Sequence, residues 1–263
     1  VVPFLVPGDW SGSTIPLTPS TAAFFQSIAA LRPGSPVLVA FDYDPSTQGE
    51  MDPQARAVLS HLMQRGARIA AVSLLPAGPA QAQLAFAGTS TAQGYRYGDD
   101  YINLGYLAGD EAALATLGQG ITDAFPQDFG ERLPTNGRPV LQGIRGVRDF
   151  ALVVVLGSDE RTVLAWLTQV QARFGVRMAA GVSAASAAQM QPYLQSGQLA
   201  GLLTGLPGAA EYELLMNRPG PAVRMLDAQS LAHAVIVVFV LLGNVGALVW
   251  GLRRKAAVPT VAG

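Results

Sequence analysis

The chain has no cysteine, so a disulfide, a thiolate nucleophile and a cysteine-bound metal are all excluded. Lysine is almost as scarce: Lys255 is the only one, and it lies close to the C-terminal end. Histidine is limited to His61 and His233, which leaves almost no material for a histidine zinc site or a Ser-His-Asp triad. Charged residues make up 13% of the 263, against roughly 25% in typical soluble domains, and the net charge is −1. No block of like charge occurs, and without a basic stripe no nucleic-acid partner is expected. Neither a G-x-G-x-x-G after the first strand nor a G-x-S-x-G is present, which disfavours classical dinucleotide binding and a nucleophile elbow. No cofactor and no metal site are expected.

Apolar residues, by contrast, are abundant, at 50% of the chain. Residues 234–252 (AVIVVFVLLGNVGALVWGL) carry no charge, and the run is close to the ~20 residues a helix needs to cross ~30 Å of hydrocarbon. Trp250 suits an interface, and Arg253, Arg254 and Lys255 follow at once. Cationic residues favour the cytoplasmic side, so the tail 253–263 is expected in the cytoplasm and the large domain outside it. That topology requires an export signal, and residues 1–17, opening VVPFLVP, read as the lead-in from an upstream signal or anchor. Gly243, Ala247 and Gly251 recur every four residues beside Asn244, a small-residue face that lets another helix approach closely. The expected partners are therefore the bilayer and, through this helix, another membrane subunit or a second copy.

Between these ends, apolar runs of strand length alternate with one-sided helical patterns. Strands are expected at 36–41, 68–74, near 101–104, and at 150–156, 176–182 and 199–204. Runs such as PVLVAF and FALVVVL must be buried on both faces, as in a parallel sheet covered by helices. Helices are expected from Thr18 or Ser20 to Ala30, from an Asp52 cap with Pro53 first, at 78–87 and 110–117, and after Ser158, Ser183 and Gly208. In the second of these, Ala55, Val58, Leu59, Leu62 and Met63 form the apolar stripe and His61 is expected to face solvent. Residues 120–146 form a Pro/Gly-punctuated excursion of a length usual for a lid or a partner-binding surface. The fold expected is α/β, a Rossmann-like or flavodoxin-like doubly wound, mainly parallel sheet over residues 18–216, followed by a tether at 217–230 and a transmembrane helix at 231–252.

In such sheets ligands bind beyond the carboxyl ends of the strands. Those ends carry Asp42, Asp44, Ser73, Ser158 with Asp159, Ser183, Gly205 and Gly208, although Ser158 and Ser183 also suit helix caps, Asp159 a first helical turn and Gly205–Gly208 a tight turn. Asp42-Tyr43-Asp44-Pro45-Ser46 resembles the D-x-D-x-T/V motif of haloacid-dehalogenase-like phosphohydrolases. The resemblance implies Asp42 as nucleophile, Asp44 as general acid/base beside Mg²⁺, and Ser73 as phosphate ligand. It covers about a dozen residues and then departs: no domain lysine is present to hold a phosphoryl group, and Asp99-Asp100 precedes its strand instead of following one. The leading expectation is a membrane-anchored, non-catalytic extracytoplasmic domain, an accessory or binding subunit of a membrane complex. The alternatives are a Mg²⁺-dependent phosphohydrolase using Asp42 and Asp44, and a small-ligand sensor or transport-linked receptor.

Overall fold

A computed structural model describes the backbone of residues 16–118 and 120–256, with the side chains of all of these except 110, 234 and 248–256. The lead-in 1–15 and the tail 257–263 lie outside the described residues, as do the surroundings of Gly251. The chain divides into two units, one ending at Val223 and the other running on from Arg224.

The first unit is an α/β domain. In chain order it contains α1 (Pro19–Ala29), β1 (Pro36–Asp42), α2 (Gln48–Gln64), β2 (Arg68–Ser73), α3 (Gly78–Gln93), β3 (Tyr101–Tyr106) and α4 (Asp110–Leu117). After residues 118–151 come β4 (Leu152–Gly157), α5 (Glu160–Trp166), β5 (Met178–Val182), α6 (Ala187–Gln195), β6 (Leu202–Thr204) and α7 (Gly205–Leu215). The six strands form one sheet in the order β3-β2-β1-β4-β5-β6, and every pairing is parallel.

Strand alternation divides the core in two. Val37, Val39 and Phe41 face one side of the sheet, with Leu152, Val154 and Leu156, against Phe24 and Ile28 of α1, Val58 and Leu62 of α2, and Phe86 of α3. Leu38, Ala40, Val153 and Val155 face the other, against Leu114 of α4, Trp166 of α5 and Met190 of α6. Every residue of β4 is buried, and each fully buried Val or Leu contributes roughly 1.5–3 kcal/mol. The first crossovers therefore lie on one face and the later ones on the other, and the strand order reverses direction between β1 and β4.

Several local expectations are corrected. Helix α2 starts at Gln48, so Asp52 and Pro53 lie inside it; Asp52 accepts a hydrogen bond from the Tyr43 hydroxyl at 3.0 Å instead of capping the helix. Helix α3 runs to Gln93, where Gly94 closes it at φ +71°. The excursion is anchored in the core as well as exposed: Phe125, Val140, Leu141 and Ile144 are buried on the α4 face of the sheet, while residues 129–134 are exposed. Gly205–Gly208 is the first turn of α7 and not a separate loop.

His61 is buried, contrary to its expected solvent position. Its Nδ1 lies 2.7 Å from the Tyr212 hydroxyl of α7, and its ring stacks on Phe25 of α1 at 4.5 Å. Burial and the nearby Arg65 push its pKa down to about 4. Helices α1 and α7 pack beside α2 on the same face of the sheet, and together they cover the flank of α2 that carries His61.

The expected tether is mostly helix. α8 (Pro221–Ala256) is continuous, beginning with proline at its first position. Before it begins, the Glu213 carboxylate collects the backbone N–H groups of Gly220, Ala222 and Val223 at 2.8, 3.0 and 3.0 Å. A carboxylate here satisfies first-turn donors that no helical carbonyl can reach and suits the positive end of the helix dipole. Within the stretch Pro221–Ala247 of α8, an 18-residue window has a mean hydropathy of 2.0, none of that window is buried, and by length and composition the helix can cross a membrane. Val235, Ile236, Phe239 and Leu242 are all exposed along it. Asn244 spends its amide N–H on the Val240 carbonyl of its own helix at 2.7 Å.

Candidate functional site

The carboxyl ends of the strands form a crest with two halves. Over β1, β2 and α5 the organising group is Asp42, which is wholly buried. Its Oδ1 accepts the Leu74 backbone N–H at 2.6 Å and lies 3.2 Å from the Ser73 hydroxyl; its Oδ2 accepts the Trp166 indole N–H at 2.7 Å. Burial pushes its pKa from 3.8 up to about 6, against the pull of these donors, and the charge on Asp159 adds to the rise. Asp42 thus ties β1 to the end of β2 and to the outer helix α5. Gly78 completes the packing: a Cβ there would lie 2.0 Å from Ser73 Oγ and 2.1 Å from the Phe41 carbonyl oxygen, so only glycine lets α3 begin so close to the sheet.

Asp44 stands apart from this cluster. Its carboxylate binds the N–H and hydroxyl of Ser46 in its own turn, at 2.8 and 2.5 Å, and those bonds hold its pKa below the usual range. Asp42 and Asp44 therefore do not converge on a shared opening. The hydroxyl of Ser73 is buried between the Phe41 and Leu75 carbonyls.

The second half lies over β4, β5 and β6. Ser158 is not the cap of α5; Asp159 fills that place, its Oδ1 accepting the Thr162 N–H at 3.1 Å. The Ser158 carbonyl accepts the hydroxyls of Ser183 and Ser186 at 2.8 and 3.1 Å, so Ser183 stands at the N-cap position of the turn Ala184–Ser186 that leads into α6 but spends its hydroxyl on bridging two strand ends. Gln54 donates to the Val182 and Gly205 carbonyls at 3.0 and 3.2 Å. Glu50 accepts the Ala184 N–H at 2.8 Å, and a Cβ at Gly205 would come 3.0 Å from its Oε2. Gly208 lies against the backbone of Leu203, where its missing side chain lets α7 rest on β6.

A consistent use of acids emerges. Asp42, Glu50, Asp159 and Glu213 each accept at least one backbone N–H. Glu211 does the same at the start of α1, taking the Thr18 N–H at 2.9 Å and its hydroxyl at 2.6 Å. Where an anionic ligand would seek free amides at strand or helix ends, this chain supplies its own carboxylates. Among the described residues no group of three His, Asp or Glu side chains is arranged to hold a metal.

The crest is nonetheless open beside β2 and α5. A cleft of about 330 Å³ is lined by Leu74 and Leu75 after β2, Glu111 of α4, and Asp159, Arg161, Thr162 and Ala165 around α5. Of the residues anticipated from strand-end position, Asp159 lines it and Asp42, Asp44, Ser73, Ser158, Ser183, Gly205 and Gly208 do not. Asp42 and Ser73 lie behind its wall, Asp42 holding Leu74 and Trp166 in place and Ser73 accepting the Leu75 N–H. Glu111 and Arg161 carry no motif, and only the folding of α4 against α5 brings them to one opening.

Comparison with known proteins returns no matching family model, curated protein or solved structure.

Proposed function

We propose that this chain is a membrane-anchored, non-catalytic α/β protein, an accessory or binding subunit whose domain lies outside the cytoplasm. The observation that carries the reading is α8: an apolar helix with no buried residue in its apolar window, followed in sequence by Arg253, Arg254 and Lys255. The strand order β3-β2-β1-β4-β5-β6 is that of the Rossmann-like doubly wound sheet. Its crest supports binding over catalysis, because the acids nearest the strand ends are committed to backbone amides.

A surface for a protein partner is available on the excursion. Phe129, 46% exposed, and Tyr106, 40% exposed, flank a cleft also lined by Arg132, and Leu133 follows at 43%. The loop under them is rigid. The buried Asp128 carboxylate holds the Glu131 and Leu133 N–H groups, the Tyr97 hydroxyl and the Arg138 guanidinium, and Arg132 is kept at φ +54°. Exposed aromatics with an arginine on a fixed loop are the composition of interface centres.

Isolation of the intact chain from its native membranes in mild detergent tests the reading. It should bring down further membrane subunits in fixed ratio, and Phe129→Asp should release them while leaving the chain in the membrane. Recovery solely as a monomer, from wild type and variant alike, would remove the accessory-subunit role.

A further inference from the structure

We propose that the cleft between the end of β2 and the start of α5 is a binding site for a small zwitterion of the α-amino-acid type with an apolar side chain. The proposal concerns a different surface from the aromatic loop and does not rest on the anchor.

Position is the first argument. The sheet order reverses between β1 and β4, and the crevice beside such a reversal, outside the carboxyl ends of the strands, is where open α/β sheets accept ligands. The cleft borders that reversal, with Leu74 and Leu75 on one wall and Asp159–Ala165 on the other. Its volume of about 330 Å³ matches the lower end of small-molecule sites.

Rigidity is the second. Both walls are fastened to one buried group, since Asp42 binds the Leu74 N–H on one side and the Trp166 indole, next to Ala165, on the other. A ligand therefore meets a preformed shape and pays little to order it.

Charge chooses the chemistry. Anions alone are disfavoured: Asp159 already occupies the first turn of α5 and Glu111 stands opposite, so the rim is net negative. A bare cation is no better served, because Arg161 shares the rim and makes no ion pair among the described residues. A molecule carrying both charges satisfies both: its ammonium faces Glu111 and the outer oxygen of Asp159, and its carboxylate meets the fork of Arg161. Leu74, Leu75 and Ala165 provide apolar wall for a side chain.

Calorimetry on the full chain in mild detergent tests this with three probes: L-leucine, L-leucinamide, which lacks the carboxylate, and N-acetyl-L-leucine, which lacks the ammonium. Leucine should bind saturably, and each analogue about tenfold more weakly. Arg161→Gln should abolish the preference for leucine over leucinamide, and Glu111→Gln should weaken leucinamide itself. Both side chains are exposed, so neither substitution threatens folding. No saturable heat with leucine at millimolar concentration, equal affinity for all three probes, or a preference for leucine that survives Arg161→Gln would each overturn the assignment.

Discussion

The indole N–H of Trp166 donates to Oδ2 of Asp42 at 2.7 Å, joining positions 124 residues apart in the sequence. That one bond fastens the central strand to the first helix on the far side of the sheet reversal. It also explains why a strand-end aspartate, the position at which reactive carboxylates often stand, serves here as a brace. Asp42→Ala should leave the Leu74 and Trp166 donors unpaired in a dry interior and open a cavity beside them. A loss of roughly 2–4 kcal/mol is expected, read as a lowered midpoint in chemical denaturation. A change below about half a kcal/mol would show that the brace is dispensable.

The two buried titrating groups oppose each other with pH. The pKa of Asp42 is raised from 3.8 to about 6, so its contribution is full below pH 3.8 and is lost as pH rises through about 6. The pKa of His61 is depressed from 6.5 to about 4, so its contribution is present above pH 6.5 and is lost as pH falls through about 4. Each is worth roughly 3 kcal/mol at ~1.4 kcal/mol per pKa unit. The wild-type thermal midpoint should therefore change little between pH 4 and 6. His61→Gln should expose a stability that falls with rising pH, and Asp42→Asn one that falls with acidification. Parallel profiles for the two variants would contradict the assignment.

Gly78 is required by contact. A methyl group at this position would penetrate Ser73 Oγ and the Phe41 carbonyl, both part of the sheet itself, so relief must come from moving α3. Gly78→Ala should cost upwards of ~2 kcal/mol, whereas Gly49→Ala, with nothing within 4 Å of its added Cβ, should be neutral or stabilising. Side-by-side unfolding curves decide it.

Glu213 should govern the first turn of α8. Removing its carboxylate leaves three backbone donors without partners, and Glu213→Ala should cost about 1–2 kcal/mol. Amide hydrogen exchange should accelerate at Gly220, Ala222 and Val223 while the amides of β4 remain protected. Unchanged exchange at those three would mean the cap contributes nothing.

The strands were legible because burial on both faces leaves only apolar residues: PVLVAF and ALVVVL admit no solvent face, and both became central strands. Burial by neighbouring helices leaves no such trace. His61 lies off the stripe that meets the sheet, and it is covered by Phe25 of α1 and by Tyr212 of α7, some 150 residues later. Ser158 and Asp159 are equally good caps in sequence, and the one-residue choice is made by Ser158 being drawn toward β1 through its N–H to the Asp42 carbonyl. The strand-end rule located the crest and, in Asp159, one residue of its opening. Asp42 and Ser73 are consumed beneath it, while Glu111 and Arg161 reach it from helices whose juxtaposition no local pattern encodes.

The absence of cysteine makes the central claim directly measurable. Single cysteines placed at exposed Ala92 in the domain and at Ala256 after the basic cluster can be challenged in intact cells with a membrane-impermeant maleimide. The account predicts that Ala92→Cys reacts from outside, that Ala256→Cys reacts only after lysis, and that both stay with alkaline-washed membranes. Protection of Ala92→Cys until lysis, or recovery of the chain in the aqueous fraction, would contradict it.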